Sequence, residues 1–243
     1  MSDMEALVEA LSEYSTYVPP RQLYAGLESH MRSCDVSDAL GKLGVPHSGF
    51  LAGPTLWSPE RQCGKTKLVG PAYTVQYVPV SDETSPKCPS HYIDSVPSGA
   101  VIVISAPATI NAVYGSLMST RAQASGAVGT VVDGRIRDLQ DHRDLGYPVF
   151  AREIGTAAPY GVARVSGFNV PIDFNKEGGT VSVHPGDYIV GDLNGVVCIP
   201  AKLADQVVKL IAPQVEADSK IARDLRNGVP FTEASKKHRA KLT

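Results

Sequence analysis

The 243-residue sequence predicts a single α/β domain with a parallel central unit, a later antiparallel meander and helices at both termini. Three observations carry that prediction. An unbroken β-branched run at 100–105 reads as a strand covered on both faces. A second apolar run at 127–132 follows a helical stretch at 115–125, and a strand–helix–strand connection within one sheet is parallel and right-handed. From 162 to 199, short β-prone runs are divided by Gly-Gly, Pro-Gly-Asp and Leu-Asn-Gly, the punctuation of antiparallel hairpins. At 43% hydrophobic residues the chain can bury one sizeable core.

Taken in order, residues 4–14 and 20–31 have apolar positions at helical spacing and are separated by Val18-Pro19-Pro20, so 1–32 is read as an N-terminal helical extension ahead of a core at 33–200. Ser33 is the expected cap of a third helix that Gly41 and Gly44 terminate. Asp35 and Asp38 in its first turn suit the helix dipole and solvent. The Gly, Pro and Ser density of 44–59 indicates a loop, 68–80 alternates as a strand, and 81–90 is a polar insertion. Residues 137–145 are read as a helix ending at Gly146, and 148–151 as a short strand. Asn194-Gly195 has the signature of a type I′ turn, which gives Asp192 a local turn role. A long helical pattern over 201–227 stops at Gly228, with Pro213 expected to kink or divide it.

Composition excludes several classes of function. With 23 basic and 25 acidic residues and no basic block, nothing calls for nucleic acid or an anionic membrane. The first residues carry acids where a signal peptide needs bases, and no apolar run reaches membrane-spanning length, so a cytoplasmic protein is expected. Cys34, Cys63, Cys88 and Cys198 are too scattered for a disulfide framework or a zinc knuckle. The glycines at 126, 129 and 134 flank a strand instead of joining a strand to a helix, so they are not a dinucleotide motif.

Chemistry concentrates in 111–138. Gly115, Ser116, Leu117 and Met118 open a helix whose free first-turn amides can form an anion site. After the strand come Asp133-Gly134-Arg135-Ile136-Arg137-Asp138, at the end where open α/β sheets keep their ligands. Arg137 offers a planar fork for a carboxylate, and Asp138 a hard oxygen for a divalent cation. A 2-oxo acid held on a metal needs both. The plain alternatives are a helix-start acid at Asp138 and a surface ion pair at Arg137. Asp133 either orients Arg137 or ligand waters from behind or only shapes its turn. His142, four residues after Asp138, has two-ligand spacing, but a solvated helix face is the better reading. His91, His184 and Arg121 have no assigned role.

These residues resemble a known family, the regulator of ribonuclease activity A-like proteins, which include the 4-hydroxy-4-methyl-2-oxoglutarate/4-carboxy-4-hydroxy-2-oxoadipate aldolases. The resemblance rests on Tyr114 to Thr120, Gly126 to Asp138 and Tyr147 to Arg152, within a similarity running from about Cys34 to Gly228. It implies a swivelling β/β/α domain and a class II, metal-dependent lyase that forms a pyruvate enolate, by retro-aldol cleavage of 4-hydroxy-4-methyl-2-oxoglutarate-type substrates, by oxaloacetate decarboxylation, or both. By the same resemblance, Arg137 binds the pyruvyl carboxylate at the 115–118 turn with the amides of Leu117 and Met118, and Asp138 holds Mg²⁺ (or Mn²⁺) partly through water. The resemblance further implies a homotrimer or hexamer whose C-terminal helix, within 201–243, packs on a neighbouring subunit. There Asp218, standing where the family commonly has Glu, would serve as the acid/base, with Glu216 as the fallback. The family's namesake inhibits an RNA-processing ribonuclease by protein contact, so the alternative is a non-catalytic binding protein.

Overall fold

The computed structural model describes residues 32–174 and 179–239; the helices expected at 4–14 and 20–31 lie outside the described residues. Helix α1 (Ser33–Lys42) leads to two short strands, β1 (Phe50–Leu51) and β2 (Thr55–Ser58), and then to the twelve-residue β3 (Leu68–Pro79). There follow β4 (Val101–Ser105), β5 (Ala112–Tyr114), α2 (Ser116–Ala124), β6 (Gly129–Ile136), α3 (Leu139–Asp144) and β7 (Val149–Ile154). The strands β8 (Ala163–Phe168), β9 (Ile172–Phe174), β10 (Val181–Val183), β11 (Tyr188–Asp192) and β12 (Gly195–Ile199) come next, then α4 (Ala204–Arg226) and α5 (Phe231–Arg239). Among the described residues no helix is long and apolar enough to cross a membrane.

The parallel unit is β3-β4-β6-β7, with β5 pairing alongside the end of β6. Antiparallel strands surround it. β11 pairs with the first residues of β3 and β8 with the last, since twelve residues are long enough to host both, and β12 and β1 extend the sheet beyond β11. The β9–β10 hairpin forms a sheet of its own. All five residues of β4 are buried, because helices cover one face and strands the other. Its alternation divides the core: Ile102 and Ile104 join Tyr114, Val132 and Val149, while Val101 and Val103 join Leu56, Val131, Phe150 and Phe174. Each such large aliphatic side chain contributes about 1.5–3 kcal/mol on leaving water. A third cluster seats α1 and the first half of α4 on β11 and β12, through Leu40, Val207 and Ile211.

Four local expectations are corrected. Residues 44–59 contain β1 and β2, held by β12 and β7 respectively. The central strand does not stop at 132: β6 runs on to Ile136, because β5 and β7 pair along it, and a register shift between Val132 and Arg135 absorbs the Asp-Gly step. Asn194-Gly195 is not a type I′ turn, since neither Leu193 nor Asn194 has positive φ. Of the two effects expected of Pro213, division does not occur, since α4 runs through it as one helix, and a helix that the sequence does not signal, α5, follows.

Ser33 is not the cap of α1 either. It is the first helical residue, and Asp192 caps the helix from 159 positions away, accepting from the Ser33 amide at 2.8 Å and from Ser33 Oγ at 2.7 Å. The same carboxylate accepts the Asn194 amide at 2.8 Å, so it closes the β11–β12 turn as well. Burial pushes the Asp192 carboxyl up, but the hydrogen bonds from Ser33 and Asn194 outweigh it and hold the group below its ordinary value. A depressed carboxylate stabilises the fold above its unfolded pKa and loses that contribution as pH falls through the folded value. Asp192→Ala is therefore expected to cost about 1–3 kcal/mol at neutral pH, from a lost cap and a stranded hydroxyl. In urea titrations at several pH values, the gap to the parent should narrow below about pH 4.

Candidate functional site

The joint between β6 and α3 faces the start of α2. Arg137 N–H donates to the Tyr114 carbonyl at 3.0 Å, which ties the end of β6 to β5 and sets the next residue apart. Asp138, the N-cap of α3, sits in the left-handed region (φ 60°, ψ 42°), which Asp tolerates better than most side chains. Its Oδ2 accepts from the Ser116 amide at 3.1 Å, lies 3.4 Å from Ser116 Oγ and stands 3.7 Å from Arg137 Nε. Both side chains remain open to solvent, at 37% for Arg137 and 36% for Asp138.

The expected anion site at 115–118 is thus partly filled from within. Ser116 gives its amide to Asp138, and the Met118 amide turns back to the Gly115 carbonyl at 3.0 Å. Leu117 remains: its amide has no partner among the described residues, and its side chain is 74% exposed. Arg137, whose Nε would stand 3.3 Å from a Cβ at Gly115, is the charged donor nearest this turn. Gly115 has ordinary extended backbone (φ −134°), so its requirement is steric: a Cβ there would stand 2.7 Å from Asp138 Oδ2 and 3.3 Å from Arg137 Nε.

Among the described residues, no group of three or more His, Cys, Asp or Glu side chains could cage a metal. Asp138 alone, with Oδ2 engaged by Ser116 and Oδ1 unengaged, fits a largely hydrated hard cation such as Mg²⁺ or Mn²⁺ and not a four-ligand zinc site.

Asp133, expected either to orient Arg137 or ligand waters or only to shape its turn, is buried and forms a very short ion pair with Arg152 of β7. The pair lines a cleft of about 430 Å³ at the C-terminal ends of β4, β6 and β7, together with Thr109, Arg135 and Glu153. Sequence reasoning gives Arg152 no role, although a polar residue just after an apolar strand run is the signal that marks Arg137.

His142 is not on a solvated face. It is fully buried beneath α2, stacked on Tyr114 with ring centroids 5.7 Å apart, and its Nδ1 lies 2.9 Å from Ser119 Oγ. Burial pushes its pKa down, against the Arg137 carbonyl and the charges of Asp138 and Asp141. Ser119 and Thr130 both donate to the Tyr114 hydroxyl, at 3.1 and 3.0 Å. Asp218 lies on α4, where it accepts from Gln214 at 3.1 Å and from Arg239 of α5 at 2.6 Å. No described contact joins it to Arg137 or Asp138 within the chain. Glu216 pairs with Lys220 at 2.7 Å, and Arg121 with Asp94 at 3.0 Å.

A parallel β-α-β unit whose polar groups gather at the strand ends beside an open cleft defines an α/β protein, with those groups where open α/β sheets commonly keep their ligands. The chain belongs to the RraA-like family: the family model described as Aldolase/RraA matches residues 33–198. It is 34% identical over 205 residues to Protein DlpA of Legionella pneumophila, covering 83% of this chain and 31% of that protein. It is 36% identical over 144 residues to a protein of Halalkalibacterium halodurans provisionally named 4-hydroxy-4-methyl-2-oxoglutarate aldolase, covering 59% and 64%. The chain therefore spans about a third of the first relative and just under two thirds of the second. Among solved structures it is similar to Streptomyces coelicolor RraAS2, titled an unusual member of the RNase ES inhibitor RraA protein family, with TM-score 0.66, 26% identity and coverage of 87% of this chain and 96% of that one. The aldolase names within the family are those of a lyase.

Proposed function

We propose that the protein is a divalent-metal-dependent lyase that cleaves 4-hydroxy-4-methyl-2-oxoglutarate-type substrates, decarboxylates oxaloacetate, or does both. One observation supports this above the rest: the Arg137 fork, the Leu117 amide, which has no partner among the described residues, and the Asp138 carboxylate meet at one solvent-open joint. Arg137 and Leu117 would bind and orient the carboxylate of a 2-oxo acid, and Asp138 would hold the cation. A bound Mg²⁺ or Mn²⁺ would supply Lewis-acid polarisation of the neighbouring 2-oxo oxygen. Ser116 keeps Asp138 oriented by engaging one of its two oxygens. Domain roles follow from this reading: 33–200 as the catalytic core, and the helical 201–243 region packing on a neighbour in a homotrimer or hexamer, with Asp218 brought to the adjoining site as acid/base. Cytoplasmic substrates suit it.

Pyruvate release from a panel of 2-oxo acids tests the proposal. Activity should vanish in excess chelator and return with Mg²⁺ or Mn²⁺. Undiminished turnover in chelator would overturn the metal-dependent reading and direct attention to Schiff-base chemistry from a lysine. The likeness to RraAS2 favours one second reading, a regulator that binds a ribonuclease. Inhibition of a ribonuclease by a preparation inactive on every 2-oxo acid would support it.

A further inference from the structure

We propose that His142 is a positioning residue for the Arg137–Asp138 pair, holding the start of α3 at a fixed distance from the start of α2. The inference rests on the proposed reading of that pair as the ligand-binding one. Two polar rungs join the helices. The outer rung is Ser116 to Asp138, at 3.1 Å between amide and carboxylate, and it is part-buried, with its carboxylate end open to solvent. The inner rung is Ser119 to His142, at 2.9 Å, and it is buried at both ends. Ser119 stands three residues after Ser116 and His142 four after Asp138, so each helix presents both of its rung residues on one face. A hydrogen bond open to solvent at one end defines position less firmly than a buried one, and the buried rung behind it restricts the play of both helices.

The inner rung is itself anchored to the sheet. Ser119 donates to the Tyr114 hydroxyl at 3.1 Å, so its oxygen is free to accept the Nδ1–H in the tautomer of His142 that carries it, and Thr130 of β6 donates to the same hydroxyl at 3.0 Å. Tyr114 lies immediately before Gly115, and its carbonyl receives the Arg137 amide. The network therefore reaches both sides of the site. Its other end explains why stability is not its main service: His142 Nε2 is buried without a partner among the described residues. An unpaired buried ring nitrogen costs free energy that an apolar side chain of similar size would not. A core selected for stability alone would do better with phenylalanine.

Three variants test this. His142→Phe keeps the ring and removes the rung, His142→Asn keeps a donor near the Nδ1 position and removes the ring, and Ser119→Ala removes the rung from the other helix. His142→Phe should keep or raise the melting temperature while the Ser116 amide exchanges with solvent about five- to tenfold faster, as the loss of roughly one net hydrogen bond of restraint implies. Pyruvate, titrated by calorimetry in the presence of Mn²⁺, should weaken by a similar factor. His142→Asn should restore slow exchange despite a lower melting temperature, which a purely structural role would not do. Parental exchange at Ser116 in folded His142→Phe would overturn the proposal; if that variant does not fold, parental exchange in Ser119→Ala overturns it equally. Should the parent protein fail to bind pyruvate, the lyase reading fails while the exchange measurement still decides the role of His142.

Discussion

Two inactive variants, Asp138→Ala and Asp218→Ala, are expected to recover pyruvate release when their subunits are mixed. Each alone should lose about 10²- to 10⁴-fold, the range for removing a proton-transfer group, with loss of the cation at least as severe at Asp138. Within one chain, the described partners of Asp218 are Gln214 and Arg239, on the α4–α5 side of the molecule, whereas the side-chain partners of Asp138 are Ser116 on α2 and Arg137, just after β6. If subunits share sites as proposed, a mixed oligomer sets an intact Asp138 from one parent opposite an intact Asp218 from the other. Mass measurement must show that hetero-oligomers have formed. Their formation without recovery would mean that Asp218 acts inside its own chain or not at all.

Gly115→Ala is expected to leave the protein folded and reduce pyruvate release by about 10²-fold, the scale of an ångström-sized misplacement of reacting groups. The backbone at Gly115 is ordinary, so alanine adds no conformational strain there. Its methyl group would nevertheless meet the Asp138 carboxylate at 2.7 Å, and the carboxylate must turn away from the Ser116 amide to admit it. Circular dichroism and a melting curve close to the parent, combined with weak turnover, would separate this local effect from unfolding. Parental turnover would show that the Asp138 orientation described above is not the one the reaction uses.

The legible parts of this chain are those whose cause is local. β4 is visible because burial on both faces imposes an unbroken apolar run, and Arg137 with Asp138 because polar residues follow directly on a buried strand. What stays hidden depends on distant partners. Residues 133–136 read as a loop through their Asp-Gly step, and only pairing with β5 and β7 makes them strand. β1 and β2 are too short to show a period, and α5 has a single buried residue, Ala234, and so no apolar stripe. The spacing of His142 places it correctly on the Asp138 side of α3, but nothing in the sequence says that α2 lies over that face. Ser116 and Asp138 are 22 positions apart, and Asp133 and Arg152 are 19 apart; each pair meets only because parallel neighbours bring their strand ends level.

The main path of the sheet ends in short pieces, the two-residue β1 on one side and the four-residue β2 on the other. An outermost strand offers a row of unpaired amides and carbonyls on which another chain can template itself, and the hazard grows with its length. Among the described residues the twelve-residue β3 and the eight-residue β6 lie inside, and these two ends present little ladder to copy. A second molecule approaching these two ends meets side chains more than open ladder, so strand-to-strand addition there is limited by the fold itself.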